Sequence, residues 1–473
     1  MESFQDVVIG SGQGGTPLSI ALAEAGRKTA LIESRHVGGT CVNEGCTPTK
    51  TMVASARVAY LARRADNYGV RGCKVAIDQS RVRERKRAVV ESFRSGSESR
   101  IRKTPDLELI MGNARFIGQK SIEVEEHGTI RQLTAERFFI STGSRAKRPP
   151  IDGLNTVPFL DNVSIMELDH VPEQLVILGG GYIGVEFGQM FRRFGSQVTI
   201  VHPHSRLLTR EDLDVAEELG NVLREDGIDL LFESKALRVG TKGSSVEVEL
   251  SGKQGVKTLT ASHLMLAVGR APNSDHLNLE AAGVETDERG FIKANDRLET
   301  NVSGIYVVGD IKGGPAFTHI AYDDYRVLRS NLLAGQHRTI RGRLVPYTIF
   351  TDPQLGRVGL TEAEAERMGL DFAVAKMPMT QVARALELDE TRGFVKVVVD
   401  TTSEQILGAA VLSIEGGEVM AMIEIAMMGR VPYTALRDGI FAHPTLAECL
   451  NNLFLAPVRS TRRSGEAQPA SAA

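Results

Sequence analysis

Asp6-Val7-Val8-Ile9-Gly10-Ser11-Gly12-Gln13-Gly14-Gly15 is the stretch that decides the fold of this 473-residue chain. The short apolar strand Asp6–Ile9, with three apolar positions Val7, Val8 and Ile9, runs into a G-x-G-x-x-G turn, a helical pattern from Pro17 to Ala25 follows, and Thr29-Ala30-Leu31-Ile32 reads as a second strand ending at Glu33. Strand, glycine turn, helix and strand in this order make the start of a βαβ unit. Glycines at these spacings permit a tight turn and let backbone N–H groups and a helix N-terminus approach a pyrophosphate. The pattern recurs: Leu175-Val176-Ile177-Leu178, then Gly179-Gly180-Gly181-Tyr182-Ile183-Gly184, a helix through Phe194, and the strand Gln197–Val201. Two dinucleotide-binding folds therefore share one chain, and the fold class is α/β.

The residue 23 positions after each first glycine separates the two sites: Glu33 after Gly10, His202 after Gly179. A carboxylate there accepts hydrogen bonds from a ribose diol and repels a 2′-phosphate, which suits FAD or NAD at the first site. His202, followed by His204 and Arg206, does not repel that phosphate, so the second site favours NADPH, with NADH as the alternative. His202-x-His204 is a poor metal site, having no third ligand nearby.

Consecutive prolines in Ser144–Pro150 read as a linker after the strand ending near Ser141. The expected organisation is a first FAD-binding part over 1–150, an NAD(P)H-binding domain over 151–271, a second FAD-binding part over 272–344, and a C-terminal α+β dimerisation domain over 345–458. A tail over 459–473 is expected to be disordered. Lys and Arg (56) nearly balance Asp and Glu (59), which excludes nucleic acid or anionic lipid as a charge-selected partner. Arg81–Lys103 holds nine basic residues, but Glu84, Glu91 and Glu98 interleave them, as on a solvated helix face. Acidic residues near Met1 and the absence of a long apolar run lead us to expect a cytoplasmic protein.

Four cysteines cannot staple a chain this long. Cys41 and Cys46 lie five positions apart in Gly38-Gly39-Thr40-Cys41-Val42-Asn43-Glu44-Gly45-Cys46-Thr47-Pro48-Thr49-Lys50, with no second pair to complete a zinc site, so a closable disulfide is expected. The helical pattern to Ala62 puts Cys46 at a helix N-terminus, where the dipole favours its thiolate. Cys73 and Cys449 are expected to be buried as small apolar side chains.

Taken together with Ser141-Thr142-Gly143, Val268-Gly269-Arg270, Gly309-Asp310 and Phe441-Ala442-His443-Pro444-Thr445-Leu446-Ala447-Glu448, these motifs resemble the class I pyridine nucleotide-disulfide oxidoreductases over residues 4 to about 456. The resemblance implies a homodimeric flavoenzyme in which electrons pass from NADPH through FAD to a Cys41–Cys46 disulfide. FAD falls to Gly10, Gly12, Gly15, Glu33 and Asp310, and NADPH to Gly179, Gly181 and Gly184. Further cofactor contacts are implied for Thr40, Lys50, Thr142, Gly143, Glu186, His202, Arg206, Gly269, Arg270 and Gly309. Cys46 is implied as the flavin-proximal thiolate, forming a charge-transfer complex, and Cys41 as the thiol that meets the substrate. Lys50 pairs with Glu186, and His443 with Glu448 forms an acid–base pair that enters from the other subunit. No metal ligand set is implied.

Within the family, Thr380–Ala385 and Asp389–Lys396 look most like mercuric reductases and the reactive-chlorine-resistance flavoproteins linked to copper(II) reduction. Ala321–Arg326 looks like the latter branch. The late sequence carries Cys449 alone where mercuric reductases have adjacent cysteines, and it keeps His443 as disulfide-substrate enzymes do. The acceptor is thus expected to be a metal ion or an oxidised thiol. Dihydrolipoamide dehydrogenase or another disulfide reductase is the alternative, and a flavin-binding redox sensor without turnover a further one.

Overall fold

The computed structural model describes residues 1–455 and 458–459, apart from Cys73, His127 and Gln254. The expectations for Cys73 and for the tail beyond Arg459 lie outside the described residues. The chain divides into two compact units, one of Met1–Leu207 with Leu223–Val345, the other of Leu208–Val222 with the chain from Pro346 onward.

The first unit contains both glycine loops. Its larger sheet has seven strands, with Leu107–Met111, Thr29–Glu33, Glu2–Ile9 and Thr129–Ile140 in succession and Ser121–Glu126 and Asn113–Gly118 beyond them. Ile305–Val307 also joins Thr129–Ile140 in parallel. Glu2–Ile9 pairs in parallel with Thr29–Glu33, Asp6 facing Thr29, which requires the crossover helix Gly15–Glu24 between them. The strand Thr29–Glu33 is buried throughout, as expected of a parallel sheet covered on both faces.

The second loop belongs to a four-stranded parallel sheet, Asp229–Leu231, Gln197–Val201, Gln174–Leu178 and His263–Leu266. The helix Tyr182–Phe194 follows its first strand, and an antiparallel three-stranded sheet over Lys235–Ala261 accompanies it.

Ser144–Ala146, expected as irregular linker, is instead a short strand paired antiparallel with Arg270–Pro272. Its partner lies 126 residues away, and no local pattern in three residues announces such a pairing. Only the proline-containing remainder, Lys147–Pro150, lacks regular structure. Arg81–Lys103 is helical as expected, within Gln79–Lys103, although Lys86 is buried against Glu167.

The second unit is built on a six-stranded antiparallel sheet in the order Tyr347–Ile349, Gln354–Gly359, Ile406–Ser413, Phe394–Asp400, Phe372–Pro378 and Val458–Arg459. Lys396, buried in that sheet, carries its ammonium to Glu362 (2.7 Å), Asp214 (2.9 Å) and Asp212 (3.2 Å). Lys396 thereby ties the stretch around Asp212–Asp214 to the sheet, with Asp214 and Glu362 partly exposed. No helix among the described residues is long and apolar enough to cross a membrane.

Candidate redox site and nucleotide loops

The two glycine loops repeat one construction. Gly10 and Gly179 have φ of +104° and +118°, a region that disfavours side chains, and a Cβ on either would overlap a carbonyl of the neighbouring strand end, Ser141 or Ala267. A Cβ on Gly15 would overlap the Gly10 carbonyl, and one on Gly184 the Gly179 carbonyl. The middle glycines differ: nothing lies within 4 Å of a Cβ built on Gly12 or on Gly181. The first and last glycines of each G-x-G-x-x-G motif are thus needed for packing, while the middle one leaves its outer side open, as backbone approach of a pyrophosphate requires.

The residue after each first glycine donates its backbone N–H to the residue that separates the sites. Ser11 N–H donates to Glu33 Oε2 at 3.1 Å, and Gly180 N–H to His202 Nδ1 at 3.0 Å. Glu33 also accepts from the Ser11 hydroxyl (2.7 Å) and the Arg35 amide (2.9 Å). Three of about four acceptor positions of a carboxylate are occupied, leaving capacity for a ribose hydroxyl. His202 accepts a backbone proton at Nδ1, so that nitrogen bears none. Burial, and then the neighbouring His204, push its pKa down to about 4, and the ring is neutral near pH 7. Arg206 lies half-buried four residues further on.

Of the other expected cofactor residues, Thr142, Gly143, Gly269, Arg270 and Asp310 gather at the ribbon of Ser144–Ala146 and Arg270–Pro272. Arg270 Nε donates to Ser144 Oγ, which donates to Asp310 Oδ2, each at 2.7 Å. Thr142 Oγ1 donates to the Asn273 carbonyl (3.0 Å), and the Asn273 amide to the Gly143 carbonyl (3.0 Å). Lys147 N–H donates to the Gly269 carbonyl at 2.9 Å. Gly309 N–H donates to buried Asp324, itself paired with Lys312 and Arg343. Ser11, Ser144 and Asp324 are therefore supports that sequence reasoning missed; Ser11 lies inside the glycine motif and Asp324 inside the Ala321–Arg326 stretch, whereas Ser144 had no local signal.

Thr40 and Cys41 lie on the short helix Gly39–Asn43, and Cys46 opens the 18-residue helix Cys46–Arg63. Both cysteines are free thiols. Cys46 Sγ is 3.2 Å from the hydroxyl of Thr318, the first residue of the helix Thr318–Ala334. Lys50, one turn beyond Cys46, reaches Glu186 Oε2 of the helix Tyr182–Phe194 at 2.7 Å. The hydrogen bond from Cys41 lowers the Cys46 pKa most, burial opposes it, and the Thr318 bond and Lys50 charge lower it further, to about 6. Cys41 is pushed up by the same bond and by burial. Of the two, Cys46 is the one that favours the thiolate and Cys41 the one that keeps its proton. Thr318, 272 residues from Cys46, was not found from sequence.

His443 Nδ1 lies 2.8 Å from Glu448 Oε2 and 3.0 Å from Oε1, within the second unit. This bond fixes the exposed ring through Nδ1. Cys449 is buried as expected, and burial pushes its pKa up to about 12.

These parts match a pyridine nucleotide-disulphide oxidoreductase family model over residues 4–324, and the dimerisation domain of the same family over residues 345–454. The chain belongs to the pyridine nucleotide-disulphide oxidoreductases. It is 37% identical to the probable pyridine nucleotide-disulfide oxidoreductase RclA of Escherichia coli, over 96% of this chain and 99% of that one. A mercuric reductase of Bacillus cereus is 34% identical over 94% of this chain and 70% of its own. A dihydrolipoyl dehydrogenase of Haloferax volcanii is 34% identical over 94% of each. Among solved structures, the Cu(II) complex of the HOCl-induced flavoprotein disulfide reductase RclA from Escherichia coli superposes with a TM-score of 0.89, at 37% identity, covering 96% of this chain and 99% of that one. As a pyridine nucleotide-disulphide oxidoreductase, the chain has two Rossmann-like dinucleotide-binding folds and a C-terminal dimerisation domain. Its enzyme class uses FAD with a pyridine nucleotide, and the open cradle at Gly12 with the spare acceptor of Glu33 fits FAD.

Proposed function

We propose that this flavoenzyme takes electrons from NADPH and that its Cys41–Cys46 pair passes two of them to a metal ion or an oxidised thiol. Bound FAD supplies the two-electron relay between nicotinamide and sulfur. The carrying observation is the thiolate site: Cys46 at a helix N-terminus, bonded by Thr318 and Cys41 and facing the Lys50 charge. Lys50, fixed by Glu186, keeps a cation beside the sulfur, where negative charge collects.

On a disulfide acceptor, Cys41 gives up its proton and attacks one sulfur, releasing the first thiolate and leaving a mixed disulfide. Cys46 then attacks Cys41, releasing the second thiolate and closing the Cys41–Cys46 disulfide. Because Cys41 holds its proton tightly, this route needs a base, which can also protonate the leaving thiolate. His443, oriented by Glu448, suits that work and favours the disulfide reading. The metal reading is supported by mercuric reductase relatives and by the copper complex of the Escherichia coli protein. Buried Cys449 does not suit relaying a soft metal ion, which needs exposed thiolates.

NADPH is favoured because neutral His202 takes over the loop-holding bond made by Glu33 at the first site while adding no negative charge near a 2′-phosphate. The test is NADPH oxidation by the purified holoprotein with Hg(II), Cu(II), lipoamide and glutathione disulfide, repeated for Cys46→Ser. Loss of acceptor reduction with FAD retained is expected; unchanged turnover overturns the sulfur route. Turnover with metal ions alone makes His443 an accessory group, and turnover with one disulfide makes it the working base.

A further inference from the structure

The residues between the two cysteines are held by side chains from distant parts of the first unit. Asn43, two positions after Cys41, donates its amide to the carbonyls of Gly39 (2.9 Å) and Val37 (3.0 Å), which folds the turn onto itself. Its one amide oxygen accepts from Arg94 Nε at 2.8 Å, a bond spanning 51 residues. The next residue, Glu44, gives its carbonyl to the amide of buried Asn162 at 2.9 Å, across 118 residues. Each outside donor is itself anchored. Arg94 projects from the 25-residue helix Gln79–Lys103. Asn162 lies two residues after Leu160, whose N–H donates to Leu264 (2.7 Å) and whose carbonyl accepts from Leu266 (2.8 Å) on an edge of the four-stranded sheet. The redox turn is thus braced by one long helix and by the sheet of the second nucleotide fold.

Neither donor touches sulfur. Their effect falls on how closely Cys41 stays beside Cys46. Closing a disulfide from two thiols is an intramolecular step, whose equilibrium rises with the effective concentration of one thiol at the other. Bracing of the connecting residues at both Asn43 and Glu44 raises that concentration. We infer that Arg94 and Asn162 are positioning residues that clamp the Cys41–Cys46 turn and thereby set the equilibrium between its disulfide and dithiol forms. This inference rests on the sulfur route proposed above.

The test is redox equilibration of the holoprotein in mixtures of reduced and oxidised dithiothreitol. In this exchange the protein disulfide gains two electrons and two protons while dithiothreitol loses them and cyclises. Free thiols are counted by alkylation and mass. Arg94→Ala and Asn162→Ala are each expected to shift the equilibrium about tenfold toward the dithiol, equivalent to about 30 mV for a two-electron couple. Arg94→Lys, which keeps a donor, is expected to stay within about threefold of the parent. Arg94→Ala removes the hydrogen bond to the Asn43 amide oxygen from a partly exposed position, so a small fall in thermal midpoint is expected to accompany the shift in thiol ratio.

Parent-like equilibria in both alanine variants overturn the clamp. So does a fall in thermal midpoint without a shift in the thiol ratio, which marks the bonds as purely structural. A parent protein that forms no Cys41–Cys46 disulfide in any mixture overturns the sulfur route itself, and the clamp with it. If Arg94→Ala fails to fold, Asn162→Ala gives the reading on its own through the bond to the Glu44 carbonyl, and a parent-like thiol ratio in it overturns the clamp.

Discussion

Cys46 is the residue on which the chemistry concentrates, and its surroundings act in opposing directions. Burial raises its pKa, while the bonds from Cys41 and Thr318 and the Lys50 charge bring it to about 6. A thiolate is the reactive form, so alkylation of the reduced protein should be slow below pH 6, rise through it and level off above. Thr318→Val removes a hydrogen bond made to the anion and should move that profile upward, by about one unit or less because the site is partly solvated. Stopped-flow alkylation against pH checks both statements. Lys50 and Glu186 were legible in the sequence through the family motif, and the structure brings them to 2.7 Å. Thr318 was not, because a hydroxyl at a helix start carries no local sign of the sulfur it meets.

Each glycine loop is an element whose three positions separate stability from binding. Gly12→Ala and Gly181→Ala add a methyl group to open space and should leave the protein folded. The first should lose FAD, visible as a colourless protein with a parent-like circular dichroism spectrum, and the second should keep FAD while binding NADPH weakly. Gly15→Ala and Gly184→Ala instead force a Cβ onto a carbonyl oxygen and should lower yield and thermal midpoint by the overpacking cost of about 1–3 kcal/mol. The second loop also carries the nucleotide preference. His202→Glu keeps an acceptor for the Gly180 amide but adds a charge, and neighbouring unit charges repel by roughly 1–4 kcal/mol in a partly solvated site. NADPH affinity should fall about tenfold or more relative to NADH, read by titration calorimetry. Because His202 titrates near 4, the parent preference should not respond to its protonation between pH 6 and 8. The loops were legible because their spacing is local, whereas the ribbon of Ser144–Ala146 was hidden because its partner is 126 residues distant.

At the scale of the whole molecule, the sequence motifs assign the acid–base pair His443 and Glu448 to the dimerisation domain and the thiols to the nucleotide-binding part, and the two fall in different compact units of the chain. Composition and periodicity distinguish these parts but say nothing of which copy completes which site. A two-fold dimer in which each site takes Cys41 and Cys46 from one subunit and the histidine from the other makes a quantitative prediction. Cys46→Ser and His443→Gln should each be nearly inactive on a disulfide acceptor when alone. When the two variants are unfolded, mixed in equal amounts and reassembled, about half the dimers should be mixed by random pairing. Every mixed dimer then has one site with both lesions and one with neither, so about a quarter of all sites, and about a quarter of the parent rate, should return. Sites completed within a single chain would contain one lesion each, and mixing would restore nothing. Glu448→Ala, which leaves the imidazole without its orienting bond, should replace His443→Gln in the same experiment with the same recovery. The recovered fraction, measured against tagged mixed dimers isolated by affinity, therefore tests the dimer and the division of labour between its subunits together.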